Sequence, residues 1–517
     1  MELSFGTDGI RGRAFDEFDE VVAHALGRAA NRALSGGIER ADGARWVVGR
    51  DTRESGPALA AALTAGLRAT GADVVDLGVV PTPVVAFAAE LGGRAGAMVS
   101  ASHNPWHDNG VKLFAVGGAK LSDAEQSAVA QCLADVGLTH GDRPSRAEVA
   151  RRRDVDASLG SVNASAAGPT TDSAVDPATA ATTGVAAGSP APRGELARVL
   201  DAYEKSLGDA IEGRTLAGLH VAVDGANGAS AKLAPGVLRR LGAHVTALFC
   251  EPDGRNINDG CGSLSPGALG AAVLDLDADM GLAFDGDGDR LIAVDSDGQV
   301  IDGDRQMALF AVDLAERGLL AGNAIVVTVM SNLGLHRAMA AAGIEVVATT
   351  VGDRAVLEAL DAGGLSLGGE QSGHVVFRHE ATTGDGLRSA VHLADLVSRW
   401  AASEAPATSD GVECDDADGG AVSDGARRTS AALAAQAMQS APQVLVNVLA
   451  ATESLDTGTQ HEIDEVAATA GPDVRVLVRA SGTEPVIRVM VEAPTEREAA
   501  ALADRLVDMV SASPPGT

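Results

Sequence analysis

A chain of 517 residues with 40 Lys and Arg against 71 Asp and Glu carries a formal charge of −31. Such a surface repels nucleic acid and anionic membrane, so any phosphate it binds must meet a local basic site. The length predicts three or four domains, and the single tyrosine, Tyr203, argues against base-stacking surfaces. Cys132, Cys250, Cys261 and Cys414 show no CxxC spacing, so neither a disulfide framework nor a zinc site is indicated, and a reducing compartment fits. With no apolar leader at the N-terminus and no apolar run of membrane-spanning length, the sequence reads as that of a soluble, cytoplasmic protein.

The opening FGTDGIRG puts Asp8 and Arg11 on a glycine-flanked turn beside the first strand, where a cation can neutralise a neighbouring phosphate. A plain start-of-domain turn explains it equally well. From Trp46 the chain alternates β-like runs with Ala-rich amphipathic stretches: WVVGRD, the helical PALAAALTAGLRATG, DVVDLGVV, a second helix and GAMVSAS. This is the rhythm of a mixed or parallel sheet, and it defines an α/β domain over 1–150. Its last strand runs into SASHNPWHDNGVKLF, a polar turn holding Ser100, Ser102, His103 and Asn104 and closed by Pro105. A hydroxyl at a strand end can carry a phosphoryl group if a cation offsets the charge, and Lys112 follows nearby. The bland reading is an Asn-Pro turn with incidental serines.

Residues 151–195 form a linker or insertion, Ala/Thr/Ser/Pro/Gly-rich and without periodicity over 156–192. The α/β rhythm returns in a second domain, 196–299, with LHVAVDGANG, a helix through VLRRLG, and AHVTALF. There GLAFDGDGDRLIAVD alternates Asp285, Asp287 and Asp289 with glycines between two β-like runs, and an extended backbone would point all three carboxylates to one side. Three convergent carboxylates need a cation, and Mg²⁺ suits carboxylate and phosphate oxygens. A calcium loop of the EF-hand type is excluded because its sixth position is Arg290 and its twelfth Ser296. An acidic turn remains the alternative.

A third α/β domain, 300–401, contains NAIVVTVMSN, LHRAMAAAG and IEVVATTVGD, and then LGGEQSGHVVF with a Gly-Gly hinge followed by Glu370, Gln371, Ser372 and His374. These groups suit sugar hydroxyls and proton handling, although a polar loop with a packing histidine would look the same. An acidic insertion occupies 402–430. The remainder, 431–517, is a small α+β domain with a helix SAALAAQAMQ, strands VLVNVLA, RVLVRA and VIRVMVEA, and a closing helix EREAAALADRLVDMV. Its RASGTEPVIR sets Arg479, Ser481, Gly482 and Thr483 on a tight turn, the chemistry of a phosphate clamp or merely a turn with a surface arginine.

Taken in order, SASHNP, DGDGDR, GGEQSGH and RASGTEP resemble the serine, metal, sugar and phosphate loops of the α-D-phosphohexomutase family, over nearly the whole chain except the two low-complexity stretches. The resemblance implies three similar mixed α/β domains and a C-terminal α+β domain around a central cleft. It implies a phosphoserine at Ser102, one Mg²⁺ held by Ser102, Asp285, Asp287 and Asp289, and a sugar gripped by Glu370, Gln371 and Ser372. Arg479, Ser481, Gly482 and Thr483 would hold the nonreacting phosphate. Arg11, Lys112 and Arg290 would neutralise charge, with Lys112 and His374 the candidates for proton transfer. FGTDGIRG, Gln371, SGTEP, NINDGCGS, VGDR and PQVLVNV most resemble the wording of members that isomerise hexosamine phosphates, which implies a reaction feeding UDP-N-acetylglucosamine synthesis. A mutase of mannose or glucose phosphates, a phosphatase and a noncatalytic sugar-phosphate-binding protein are the rivals. Partners implied are a small hexosamine phosphate and a phosphoryl donor or kinase that first charges Ser102, with a homodimer allowed.

Overall fold

The computed structural model describes residues 9–34, 44–135, 193–404, 437–449, 455–480 and 486–512. The stretch 156–192, most of 402–430, Asp8, and Ser481, Gly482 and Thr483 lie outside the described residues. The chain divides into two compact units, the first comprising residues 1–205 with 227–231 and 251–259, the second the remainder.

In the first unit a five-stranded sheet has the order β1-β5-β4-β2-β3, with β1 (Ile10–Arg13), β2 (Arg45–Arg50), β3 (Asp73–Val79), β4 (Ala95–Val99) and β5 (Asp108–Phe114). β2 runs parallel to β3 and β4, whereas β5 is antiparallel to both β4 and β1. Its helices are α1 (Glu20–Leu34), α2 (Gly56–Ala69), α3 (Thr82–Gly92) and α4 (Asp123–Asp135). Every residue of β4 is buried, as expected of a strand covered on both faces. Trp46, Val48, Ala95 and Ala97 pack with Leu26, Leu59 and Leu63 of α1 and α2 on one side. α1 and β1 precede Trp46, where the sequence reading begins its alternation, and Arg11 lies within β1 rather than on a turn.

After α5 (Arg193–Ala210) comes a second sheet, ordered β10-β9-β8-β6-β7, built from β6 (His220–Asp224), β7 (His244–Leu248), β8 (Met280–Phe284), β9 (Leu291–Val294) and β10 (Val300–Ile301) with α6 (Leu233–Arg240) and α7 (Pro266–Asp275). A third sheet, β12-β11-β13-β14, uses β11 (Ala324–Thr328), β12 (Glu345–Thr349), β13 (Leu367–Gly369) and β14 (Val375–Phe377) with α8 (Gly303–Glu316), α9 (Leu333–Ala341), α10 (Asp353–Gly363) and α11 (Gly386–Glu404). The fourth, β15-β17-β16, is antiparallel, from β15 (Gln443–Leu449), β16 (Arg475–Ala480) and β17 (Val486–Glu492), with α12 (Thr457–Thr469) and α13 (Glu496–Ala512). The expected helix SAALAAQAMQ falls mostly outside the described residues, and 437–439 are not helical, while α12 had no counterpart in the sequence reading.

The first three sheets share one plan: a central strand parallel to both neighbours, followed across the sheet by an antiparallel strand. In each, the chemistry-bearing loop joins the last parallel strand to the antiparallel one, at β4–β5, β8–β9 and β13–β14. Loops at the carboxyl ends of such strands are free of ladder duties, which makes this the place where a repeated scaffold can vary its chemistry.

Within the second unit the third and fourth sheets are joined through polar groups. The Asn332 carboxamide pairs with Ala441 in both directions, donating to its carbonyl at 3.0 Å and accepting from its N–H at 2.8 Å. Arg475 donates to the carbonyls of Ser331 and Val329 and pairs at 3.1 Å with Glu492, which also accepts from Leu333 N–H. Asp304, fully buried here, accepts from Asn332 N–H at 2.7 Å, and burial pushes its pKa up to about 7. A carboxylic acid with a folded-state pKa above its unfolded value of about 3.9 destabilises the fold progressively as pH rises from that value through 7. Asp304→Asn is therefore expected to lessen the fall in Tm between pH 5 and pH 8, measured by calorimetry, and an unchanged fall would refute the assignment.

Candidate active site

Ser102 follows β4 and is 1% exposed, with a left-handed φ of 52°. A serine there costs of order 1–3 kcal/mol and persists only where the surroundings fix it. The fixing groups are visible. Ser102 N–H donates to Ser100 Oγ at 2.8 Å, and Ser100 Oγ donates to Asp51 Oδ2 at 2.7 Å. Asp51 also accepts from Arg53 Nε at 2.8 Å, and the buried Arg53 guanidinium donates to the carbonyls of Ser102 and Asn104 at 2.8 Å, of Asp108 at 3.0 Å, and of Pro105. A guanidinium has five donors in a fixed fork, which lets one side chain close four carbonyls of a tight loop. Neither Asp51 nor Arg53 stands out in the sequence, because the pair serves a loop about fifty residues on.

The cations sit close in the same sheet. Val99, Val111 and Ile10 are in register across β4, β5 and β1, so Lys112 lies one row before that line, opposite Met98, and Arg11 one row beyond it, opposite Gly110. Gly110 O accepts from Ser100 N–H at 3.0 Å, placing Arg11 in the row of Ser100. Lys112 is 1% exposed, and a buried ammonium next to a polar loop needs an anion nearby.

In the second unit Asp285, Asp287 and Asp289 are buried, and one oxygen from each lies within 4.8 Å of the others. They converge because residues 285–289 form a turn, with Gly288 at φ 72°, and not through extended alternation as the sequence suggests. Three hard oxygen donors held this close match a divalent cation that prefers carboxylates. Arg290 Nε stands 3.8 Å from Asp289, and its backbone N–H donates to Asp285 at 3.3 Å.

The segment Glu370–His374 is the tip of the β13–β14 hairpin, closed by Glu370 N–H donating to His374 O at 3.0 Å. Gly368 and Gly369 do not form a hinge: both lie in the buried strand β13, where added Cβ atoms would come within 2.9 Å of Val326 O and 2.6 Å of His374 O. The Glu370 carboxylate is held on both oxygens, by Gly352 N–H at 3.2 Å and by the Ser372 hydroxyl at 3.3 Å. This hairpin is bolted to the aspartate turn. Leu291 N–H donates to Gly373 O at 3.0 Å, and Gly386 N–H, opening α11, donates to Gly288 O at 3.2 Å. A Cβ on Gly373 would lie 2.0 Å from Leu291 O, and one on Gly386 2.5 Å from Arg290 O, so only glycine permits either approach.

His374 is the bracket between the two loops. It is 2% exposed, with Nδ1 3.8 Å from Asp289 and Nε2 3.8 Å from Asp353, and Nε2 accepts from Gly384 N–H at 3.2 Å. Burial disfavours the imidazolium, but Asp289, Asp353 and Glu370 outweigh it and hold the pKa above its ordinary value. Gln371 occupies the hairpin tip, its carbonyl accepting from Gly303 N–H at 3.0 Å.

Of the clamp, Arg479 is described. It stands directly opposite Arg488 in the β16–β17 ladder. Burial, then the charge of Arg488, holds the Arg479 pKa below its usual value. Like charges directly opposite on paired strands are destabilising, and a dianion between them reverses that cost. Arg488 stands inside the motif RASGTEPVIR, and its place opposite Arg479 becomes visible only in the strand register.

Comparison with known proteins agrees with this layout. Family models described as phosphoglucomutase/phosphomannomutase match the chain in four consecutive blocks: α/β/α domain I over residues 2–138, domain II over 201–298, domain III over 302–408, and the C-terminal domain over 421–509. The phosphoglucosamine mutase of Thermobifida fusca is 43% identical over 514 residues, covering 99% of this chain and 98% of that protein, and that of Frankia alni is 44% identical over 526 residues, covering 100% and 99%. Among solved structures, a phosphoglucomutase/phosphomannomutase family protein from Burkholderia thailandensis superposes with a TM-score of 0.71 at 27% identity, covering 99% of this chain and 98% of its own. The N-acetylphosphoglucosamine mutase of Aspergillus fumigatus, solved with GlcNAc-6P and magnesium, shares the fold with a TM-score of 0.59 at 17% identity, covering 99% and 96%. Four domain matches in unbroken order and relatives alike from end to end leave one assignment: the chain belongs to the phosphoglucomutase/phosphomannomutase family.

Proposed function

We propose that the chain is a phosphoglucosamine mutase, an isomerase that interconverts glucosamine 6-phosphate and glucosamine 1-phosphate through a phosphorylated Ser102 and a bisphosphorylated sugar. The observation that carries this reading is the end-to-end likeness, at 43% identity, to a protein of that name. The geometry supports it: a buried serine in a rigid loop, a three-carboxylate turn bolted to a sugar-type hairpin, and an arginine pair suited to a phosphate dianion.

In this reading a sugar hydroxyl oxygen attacks the phosphorus on Ser102 Oγ, the P–Oγ bond breaks as the new P–O bond forms, and the hydroxyl proton passes to a base. The bisphosphate then turns about, and its other phosphoryl group returns to Ser102 by the reverse step. Arg479 and Arg488, with Ser481, Gly482 and Thr483, hold whichever phosphate is not reacting. Glu370, Gln371 and Ser372 hold the sugar, the Glu370 carboxylate pre-aimed by Gly352. Arg11, Lys112 and Arg290 balance the charge that accumulates in a phosphoryl transfer. The candidate proton carriers are Lys112, which follows the serine loop in β5, and His374, held between Asp289 and Asp353.

Asp285, Asp287 and Asp289 would hold Mg²⁺, which when bound supplies positive charge to the phosphate of Ser102. The reading further takes a kinase or a sugar bisphosphate as the donor that first charges Ser102, the cytoplasm as the compartment and a homodimer as the assembly. Among the described residues no helix is long and apolar enough to cross a membrane. The test is intact-mass analysis of the purified protein with rates on glucosamine, glucose and mannose phosphates. One phosphate on Ser102, discharged fastest by the glucosamine phosphate, is expected. Faster turnover of a glucose or mannose phosphate would move the assignment within the family.

A further inference from the structure

The segment 251–259 contains the start of NINDGCGS, a motif that the phosphoryl-transfer chemistry leaves without a role, yet it belongs to the compact unit of the serine loop. It is fastened there at several points. Thr52 Oγ1 donates to Asn227 O at 2.6 Å, the Asn227 carboxamide accepts from Glu251 N–H at 3.1 Å and donates to Asn256 O at 3.2 Å, and Glu54 N–H donates to Gly254 O at 2.9 Å. Arg255 makes a bidentate pair with Glu54 at 2.9 Å and lies over the Trp106 ring at 5.2 Å. Glu54 adjoins Arg53, and Trp106 follows Pro105, so the segment is anchored on both sides of the serine loop.

At its end Asn258, itself left-handed at φ 58°, donates from Nδ2 to Ser102 O at 3.0 Å and to Asn104 O at 3.2 Å. These are the same two carbonyls that Arg53 Nη2 holds. Arg53 also closes the carbonyls of Pro105 and Asp108 and so builds the loop, whereas the Asn258 side chain donates to the carbonyl of Ser102 itself and to that of Asn104 just after it. We infer that Asn258 is a positioning residue for the phosphoryl-carrying serine, fixing the peptide at Ser102 so that its Oγ is held in line for transfer. The inference rests on Ser102 being the phosphoryl carrier. An in-line displacement is sensitive to misplacement of about 1 Å, which costs on the order of 100-fold in rate. Loss of the carboxamide would therefore lower kcat and leave KM, set by the sugar and phosphate loops, in place.

Two full-length variants separate backbone from side chain. Asn258→Gly keeps the left-handed backbone and removes the donor, while Asn258→Asp keeps the size and sets a carboxylate against two carbonyls. For both, kcat and KM, Tm and the phosphate content of Ser102 by intact mass would be measured beside the wild type. Expected is a fall in kcat of roughly 10- to 100-fold with KM and Tm near wild type, the aspartate variant being the more impaired. Wild-type kcat in Asn258→Gly, or a loss that appears in KM or Tm instead, overturns the inference alone. A wild-type protein that never carries phosphate on Ser102 overturns the mutase reading, and the inference with it.

Discussion

Ser102→Ala is expected to abolish isomerisation, by roughly four orders of magnitude or more, the scale on which loss of a covalent nucleophile is felt. No other hydroxyl of the loop is placed to substitute for it: Ser100 Oγ is committed to Asp51 at 2.7 Å and to the Ser102 N–H at 2.8 Å. The loop itself should survive, because its conformation is set by backbone carbonyls gripped by Arg53 and by the Ser102 N–H, none of which the substitution touches. The variant is therefore expected to keep Tm within a degree or two of wild type and to bind the sugar phosphate still, through the hairpin and the arginine pair. Kinetics, calorimetry and titration of the ligand check the three parts separately. Wild-type turnover would refute the carrier role, and a collapsed Tm would show the hydroxyl to be part of the loop's framework.

Much of this site is legible in the sequence because each loop is local. Ser102 with its Asn-Pro turn, the three aspartates, Glu370 to His374 and Arg479 each stand in one short run beside or within a β-like segment, and the structure places the first three runs at corresponding corners of related sheets. What escapes is everything that acts across distance in the chain. Arg53 closes carbonyls about fifty residues away, Asn258 reaches back more than 150, and Asp353 faces His374 from the start of α10. No periodicity or spacing encodes such partners; they arise when packing brings buried polar groups together and each must find a hydrogen bond. The aspartates show a subtler gap. Their convergence is inferred from the alternating Asp-Gly spacing, but its cause, a turn at Gly288 braced by α11, depends on Gly386 approaching Gly288 O. The supposed Gly-Gly hinge fails for the same kind of reason, since the glycines at 368 and 369 answer to neighbours in a buried sheet. Arg11 likewise reads as a turn residue until the pairing of β1 with β5 is seen.

The same turn yields the second large effect. Asp285, Asp287 and Asp289 are at most 2% exposed, with carboxylate oxygens within 4.8 Å of one another, so in metal-free protein their mutual repulsion opposes folding. An ion bound only by the folded state stabilises it by about 2.7 kcal/mol at a concentration 100 times its Kd. Wild-type Tm should accordingly climb by several degrees as Mg²⁺ is added after chelation. Asp287→Asn keeps the shape, removes one negative charge and weakens one ligand. Two opposite shifts follow: Tm of the chelated variant should lie above that of chelated wild type, because less repulsion is stored, while the increment on adding Mg²⁺ should shrink or vanish. Activity at saturating Mg²⁺ should fall by about 100-fold or more, the range for losing one electrostatic contact to a transferring group. Thermal denaturation against Mg²⁺ concentration reads the first two effects without any turnover, so a failure of catalysis for another reason cannot imitate them. If the variant retains the wild-type increment and the wild-type metal requirement, the cluster is a structural acidic turn and the metal assignment fails.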